Sequence, residues 1–227
     1  MKSLKLALVA AAAAAVLAPA QAEGLSYNIG VVSLYKFNGV DADSREAKSF
    51  RPAVQGGVDY DFGNGFYVGN WNSTGKFAEA DLEVNFYGGY ANELANGLRY
   101  DVGLIRVIYP DAKSTSYANY NEAMFSLGYG IATFKVVRGL TTDVNKKSEH
   151  YSLTLSQPIN DKVTVNLVLA DRNKVSGGHN NFSLGADYDL GDGMTATAVV
   201  AGAGKKDDGS KPDSHKTRLI LGVSKSF

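Results

Sequence analysis

Ser152 and His150 are the residues best placed by type and spacing for chemistry, two positions apart with Tyr151 between them. On an extended segment both fall on one face, where an imidazole could take the proton of a serine hydroxyl, but no third group is evident to orient the base. His179 and His215 lie far apart, with no H-E-x-x-H pattern or paired ligand spacing, so all three histidines read as surface residues at strand ends or in outer loops. Gly202-Ala203-Gly204-Lys205-Lys206 imitates a phosphate-binding loop, yet no Ser or Thr follows the lysine and no helix pattern comes after it. With Asp207, Asp208 and Lys211 it reads instead as a flexible outward link of mixed charge. Cysteine is absent, which excludes thiolate metal sites, disulfides and a lipid-modified cysteine. The expectation is a protein that is not an enzyme, with no catalytic residue, cofactor or metal. Basic and acidic residues number 23 each, so no global field recruits nucleic acid.

The charged residues that remain alternate with apolar ones. From Arg51 to Phe77 two long runs flank a Gly63-Asn64-Gly65 turn, the pattern of a β-hairpin. In the first run Arg51, Gln55, Asp59 and Asp61 share one parity, while Pro52, Val54, Val58, Tyr60 and Phe62 share the other. Such runs exceed the usual globular strand of about 5–6 residues and match the length of a tilted strand that crosses a bilayer.

Residues 1–22 read as a signal peptide: Lys2 and Lys5 form a basic start, Leu6 to Leu17 an apolar run, and Ala20-Gln21-Ala22 a small-residue cleavage site. The apolar run is too short for a membrane helix, and none of sufficient length follows. Residues 23–227 are then expected to be exported as one domain.

Alternation and turn chemistry predict roughly twelve strands, over 25–37, 51–62, 66–75, 80–91, 98–109, 120–129, 131–140, 149–157, 162–170, 181–190, 194–203 and 215–227. Tight turns alternate with longer links, except at the short link 76–79. That rhythm predicts an all-β fold, a transmembrane up-and-down antiparallel β-barrel with short periplasmic turns, longer outer loops and both termini on the periplasmic side. Even strand number closes the sheet and abolishes its edges.

The two-residue period sorts the faces. Leu82, Val84, Phe86, Phe125, Leu127, Val165, Leu167, Phe182 and Leu184 are expected outward, and Tyr60, Phe62, Tyr90, Tyr100, Tyr129, Tyr188 and Phe227 form an outward aromatic girdle near the tight turns. Arg106 falls on the outward parity near the outer rim. The last strand, with Leu219, Leu221 and Val223 outward and Phe227 terminal, looks like the signal by which the barrel-assembly machinery recognises its clients. Lys225 stands where an aromatic is more usual, and can snorkel into water.

Arg51-Pro52-Ala53-Val54-Gln55-Gly56-Gly57-Val58-Asp59-Tyr60, Gly65-Phe66-Tyr67-Val68-Gly69 with Trp71 and Ser73, Phe86-Tyr87-Gly88-Gly89-Tyr90, Tyr100-Asp101-Val102-Gly103 and Tyr109-Pro110 together resemble the TorF-type porins, also described as the Gcw_chp family of bacterial proteins. The resemblance is densest from 25 to 130. It departs after the first strand, where Phe37-Asn38-Gly39 replaces the family's usual aromatic followed by Arg-Gly. The resemblance implies an outer-membrane barrel and carries no catalytic residues.

Twelve strands should enclose a narrow wet lumen unless a loop plugs it. The lumen parity holds Arg51, Asp59, Asp61, Asp81, Glu83, Arg99, Asp101, Glu122, Lys162, Asp187, Asp189 and Arg218. Carboxylates dominate at the periplasmic mouth, which predicts a weakly cation-preferring porin passing ions or small hydrophilic solutes in contact with outer-membrane lipids. The alternative is a structural or adhesive barrel, closed inside, whose outer loops bind.

Overall fold

The computed structural model describes residues 23–43, 45, 49–110, 112, 119–141, 148–173, 178–206 and 208–227. The proposed signal peptide, Asp207 and the middles of the links at 110–119, 141–148 and 171–180 lie outside the described residues. In chain order the strands are β1 (Gly24–Val32), β2 (Lys36–Phe37), β3 (Val40–Asp41), β4 (Ala53–Asp61), β5 (Phe66–Phe77), β6 (Ala80–Glu93) and β7 (Arg99–Ile108). They continue as β8 (Tyr120–Tyr129), β9 (Ala132–Gly139), β10 (Glu149–Pro158), β11 (Val163–Asn173), β12 (His179–Gly191), β13 (Met194–Ala203) and β14 (Arg218–Ser226).

Twelve of these form one closed antiparallel barrel, each paired with its sequence neighbour and β1 joined to β14; β2 and β3 form a separate two-stranded sheet. Closure is secured at the chain ends, where the Phe227 N–H donates to the Tyr27 carbonyl at 2.9 Å and the two rings stack at 5.0 Å. The wall follows from the two-residue period. In β1, Leu25, Tyr27, Ile29 and Val31 are exposed while the alternate residues are more buried. The same holds for Val102 and Leu104 in β7, Phe125 and Leu127 in β8, and Leu219, Leu221 and Val223 in β14. In a soluble protein so many exposed large side chains would be anomalous; on a membrane barrel they form the outer wall.

The aromatic girdle is present and interlocked. Tyr60 packs on Phe62 at 4.9 Å, Phe66 on Tyr90 at 5.0 Å and Tyr90 on Tyr100 at 6.1 Å. Arg106 is on the outer wall, where its guanidinium donates to Asn121 at 3.2 Å. Two outer-wall asparagines satisfy themselves: Asn70 donates to the Asn85 carbonyl at 3.1 Å and Asn72 to that of Gly56 at 3.4 Å, as polar groups facing hydrocarbon must.

The short link at 76–79 is a true hairpin: Phe77 pairs with Ala80, and Ala78 takes a φ of 52°, the positive value that tight hairpin turns require. One expectation fails. The first strand does not run to residue 37 but leaves the wall at Val32, because Leu34, Tyr35 and Lys36 have buried partners elsewhere. The chain reverses through Asn38 and Gly39, both at positive φ, and the β2–β3 hairpin lies inside the barrel.

Candidate functional site

The interior surface is built from the alternate residues of all twelve wall strands, and three zones of it differ in chemistry.

The first zone covers β4 to β7 in the half that holds the Gly63–Gly65 turn. Neighbouring strands lie about 4.8 Å apart. Tyr67 on β5 nevertheless reaches across β6 to donate its hydroxyl to Asp101 on β7 at 2.8 Å, and Tyr87 on β6 reaches across β5 to Asp59 on β4. Side chains spanning two strands must lie along the wall instead of pointing to the axis. Glycines make room for them: a Cβ on Gly69 would meet the Tyr87 ring at 2.4 Å, and one on Gly89 the Tyr67 hydroxyl at 2.5 Å. The bed is therefore paved with tyrosine and edged with carboxylates. On β12, Asp187 accepts from Thr197 and from Asn166, both at 2.8 Å. All three carboxylates take their hydrogen bonds from neutral donors, so none of those bonds cancels a charge.

The second zone is the inward hairpin. Tyr35 packs on Trp71 at 5.8 Å and on Phe77 at 6.3 Å, and its hydroxyl donates to Glu83 at 3.1 Å. The same carboxylate accepts from Tyr109 at 3.0 Å and Asn85 at 3.0 Å. Three donors to one buried carboxylate satisfy it without a cation. On its other side the hairpin leans on β12 to β14. Lys36 Nζ pairs with Asp41 at 2.7 Å and donates to the carbonyls of Gly39 at 2.9 Å and Ser214 at 3.0 Å. Arg218 Nη2 lies 3.5 Å from Asp41 Oδ2. Gly39, at φ 74°, sits so close that a Cβ there would be 2.5 Å from the Gly202 carbonyl. At the base of the loop, burial opposes the ionisation of Asp43, but hydrogen bonds from Arg45 and the charges of Arg45 and Arg51 outweigh it and hold its pKa at about 2.

Here the histidine expectation is overturned. His179 and His215 are buried, with ring centroids 4.7 Å apart, because the hairpin and the 3₁₀ turn Asp213–His215 cover them. His179 Nε2 lies 3.2 Å from the Asn38 carbonyl and His215 Nδ1 2.7 Å from that of Gly204. Burial pushes the His215 pKa below the ordinary imidazole value, aided by its neighbours His179, Lys206 and Lys36.

The third zone is the interior face of β8 to β11, where no hydrogen bond or ring contact described for the β2–β3 hairpin reaches. It carries Glu122, Lys135, His150, Ser152 and Arg172. Among the described residues no hydrogen bond joins Ser152 to His150, and His150 Nε2 is buried without a partner.

The residues expected in the lumen distribute unequally. Asp59 and Asp101 edge the paved zone, Asp187 lies across the barrel on β12 bonded to Thr197 and Asn166, and Glu83 is sealed beneath Tyr35 and Tyr109. Arg51 and Arg218 are engaged by Asp43 at 3.0 Å and by Asp41. Asp81 stands in solvent, its side chain 79% exposed, paired with Lys76 at 2.9 Å. Asp61 and Asp189 accept turn N–H groups from Gly63 and Gly191, and Arg99 donates to the Gly130 carbonyl, all at the rim. Lys162 lies 5.9 Å over the ring of Tyr188, in the girdle. Glu122 is half-buried on β8. Lys135 and Arg172 share the interior parity and were absent from that expectation, as was every inward aromatic.

Residues 17–227 match the model of a family described as bacterial protein of unknown function, Gcw_chp. Among curated proteins none matches. Among solved structures, the KdgM porin aligns over 89% of this chain and 99% of its own at 11% identity, with a TM-score of 0.63. The KdgM porin in complex with disordered oligogalacturonate aligns over 89% of this chain and 98% of its own at 10% identity, with a TM-score of 0.60. At such identities the likeness is one of fold.

Proposed function

We propose, for a chain that belongs to the Gcw_chp family and folds as a porin-like closed barrel, that it is a passive pore of the bacterial outer membrane for ions and small hydrophilic solutes. The observation that carries this reading is a closed barrel whose interior parity is lined by polar and charged side chains, Ser126, Lys135, Ser152 and Thr154 on β8 to β10 among them. The resemblance to TorF-type porins points the same way. In planar bilayers the purified barrel should give discrete conductance steps; electrical silence from correctly folded protein would overturn the proposal. A second reading, a structural or adhesive barrel, is favoured by one observation: Tyr35, Phe77, Tyr109 and their neighbours form a buried aromatic core inside the outer half.

The pore is weakly cation-preferring, because the carboxylates of Asp59, Asp101 and Asp187 lie near the periplasmic mouth and take their hydrogen bonds from neutral donors. Export through a cleaved signal peptide and delivery to the barrel-assembly machinery through the strand ending at Phe227 complete the proposal. Its orientation places the Gly63–Gly65 turn in the periplasm and the 204–214 link outside. A cysteine at Ser210 should label in intact cells and one at Asn64 should not; the opposite pattern would reverse the orientation.

A further inference from the structure

Tyr67 and Tyr87 lie over glycines of the wall. A Cβ on Gly69 would strike the Tyr87 ring, and one on Gly89 would strike the hydroxyl and ring of Tyr67. The two ring centroids are 6.5 Å apart. Each ring therefore turns one side to backbone, yet both residues are only half-buried. They share the interior parity, so the open side faces the lumen. The ring contacts of the inward hairpin go to Trp71 and Phe77, and none described reaches Tyr67 or Tyr87. Tyr67 comes two residues after Gly65, which places the start of this bed at the mouth that holds the Gly63–Gly65 turn.

The polar groups around the rings complete the surface. Asp59 accepts from the Tyr87 hydroxyl through Oδ1; its Oδ2 has no described bond, and the residue is half-buried. Asp101, 4% exposed, is sealed and serves to hold Tyr67 in place. β11 stands six places from β5 in the twelve-strand order and so faces it across the lumen. There Thr164 and Asn166, half-buried on the interior parity, offer a hydroxyl and an amide that both donate and accept. Ring faces on one side, a carboxylate at their edge and neutral hydrogen-bonding groups opposite match a molecule with flat C–H faces and a rim of hydroxyls.

We infer that Tyr67, Tyr87 and Asp59 form a binding site for a neutral saccharide. The C–H face of a sugar ring stacks on the tyrosines while one of its hydroxyls donates to Asp59 Oδ2. An anionic sugar is opposed by that carboxyl group and by the negative ring faces. A linear polyol can reach the same oxygen but has no flat face to stack. One aromatic platform and few hydrogen bonds hold a solute weakly enough to release it, as passage requires. The inference deepens the pore reading by naming a solute class, and rests on it for the route through the barrel. The site itself lies at the mouth and fills whether or not current flows.

Saturation-transfer NMR on the full barrel, in micelles of a detergent without a sugar head, reads the contact directly. Irradiation of the protein's aromatic protons should give a saturable signal on the ring protons of cellobiose. Sorbitol should give none, and glucuronate a response several-fold weaker. Tyr87→Leu should weaken cellobiose binding roughly tenfold, and Tyr87→Phe, which keeps the ring, should weaken it less. Tyr129→Leu, in the outward girdle, should leave it unchanged. The comparison of ligands on the wild type decides even where Tyr87→Leu does not fold. No saturable cellobiose signal, an equal response to sorbitol or glucuronate, or equal losses in Tyr129→Leu and Tyr87→Leu would overturn the inference. Tetramethylammonium binding tighter than cellobiose would overturn the saccharide assignment. Electrical silence with a normal cellobiose titration would sink the pore reading alone, and conductance without a cellobiose signal would sink this inference alone.

Discussion

Lys36 and Asp41 close the inward hairpin with a 2.7 Å ion pair whose side chains are 2% and 3% exposed. Removing one member of such a pair leaves a buried charge uncompensated, at a cost of about 3–5 kcal/mol. Lys36→Met should therefore loosen the hairpin, raise single-channel conductance and increase open-state noise, while the barrel itself still migrates as folded on an unheated gel. Gly39→Ala should do the same with no change of charge, since its Cβ would strike the Gly202 carbonyl. Unaltered conductance in both variants would show that the hairpin does not limit flow.

Acidification should have the same direction. His215 has a folded pKa below its ordinary value of about 6.5. Below that value the unfolded loop binds more protons than the docked one, so docking loses stability as pH falls. The titratable groups acting on His215 are His179, Lys206 and Lys36, so protonation adds charge beside two lysines. Asp43 contributes nothing to this limb, because a carboxyl held at about 2 keeps its stabilisation at and above its ordinary value near 3.9 and loses it only as pH falls towards 2. Conductance should rise as pH is lowered from about 6.5 to 4.5, and His215→Asn should flatten that rise.

Selectivity should fall when the acidic mouth is neutralised. Asp59 sits beneath Tyr87 and Asp61 beside the Gly63 turn, where low-dielectric walls strengthen their field. Asp59→Asn with Asp61→Asn should move the zero-current potential under a salt gradient towards zero. An anion-selective wild type would contradict the proposed sign.

The outer wall gives a stability test. Leu184, 51% exposed and paired with Leu167 on the neighbouring strand, faces the membrane. Leu184→Arg should cost about 2–4 kcal/mol near mid-membrane. Ser183→Arg, one residue away and facing the interior, should cost much less. Equal losses in urea unfolding from lipid vesicles would show that the two faces do not differ in solvent.

The twelve wall strands were legible because a membrane barrel imposes strict alternation on every one of them, and alternation is visible without contacts. The same rule misread Ser33 to Phe37. Those residues continue a strand-like run, and a period of two cannot distinguish a side chain that faces lipid from one that faces a plug. Asp59, Glu83 and Asp101 were readable as interior by parity, but Tyr87, Tyr35 and Tyr67, which decide what those carboxylates do, come from other segments of the chain. Lys135 and Arg172 obey the parity rule too; attention to strand ends passed over them. The burial of His179 and His215 had no local signal, since it depends on a hairpin more than a hundred residues upstream.

The seam between β1 and β14 sets the order of events during biogenesis. The Phe227 amide bonds to Tyr27, so the first wall strand waits for the last before the cylinder can shut. Until then the growing sheet has two open edges, each a template for pairing with another chain. A transcript cut short before Arg218 yields a product whose β1 pairs only with β4, its other edge open and prone to edge-to-edge aggregation. A closed sheet can therefore be told from an open one by the β1–β14 seam alone.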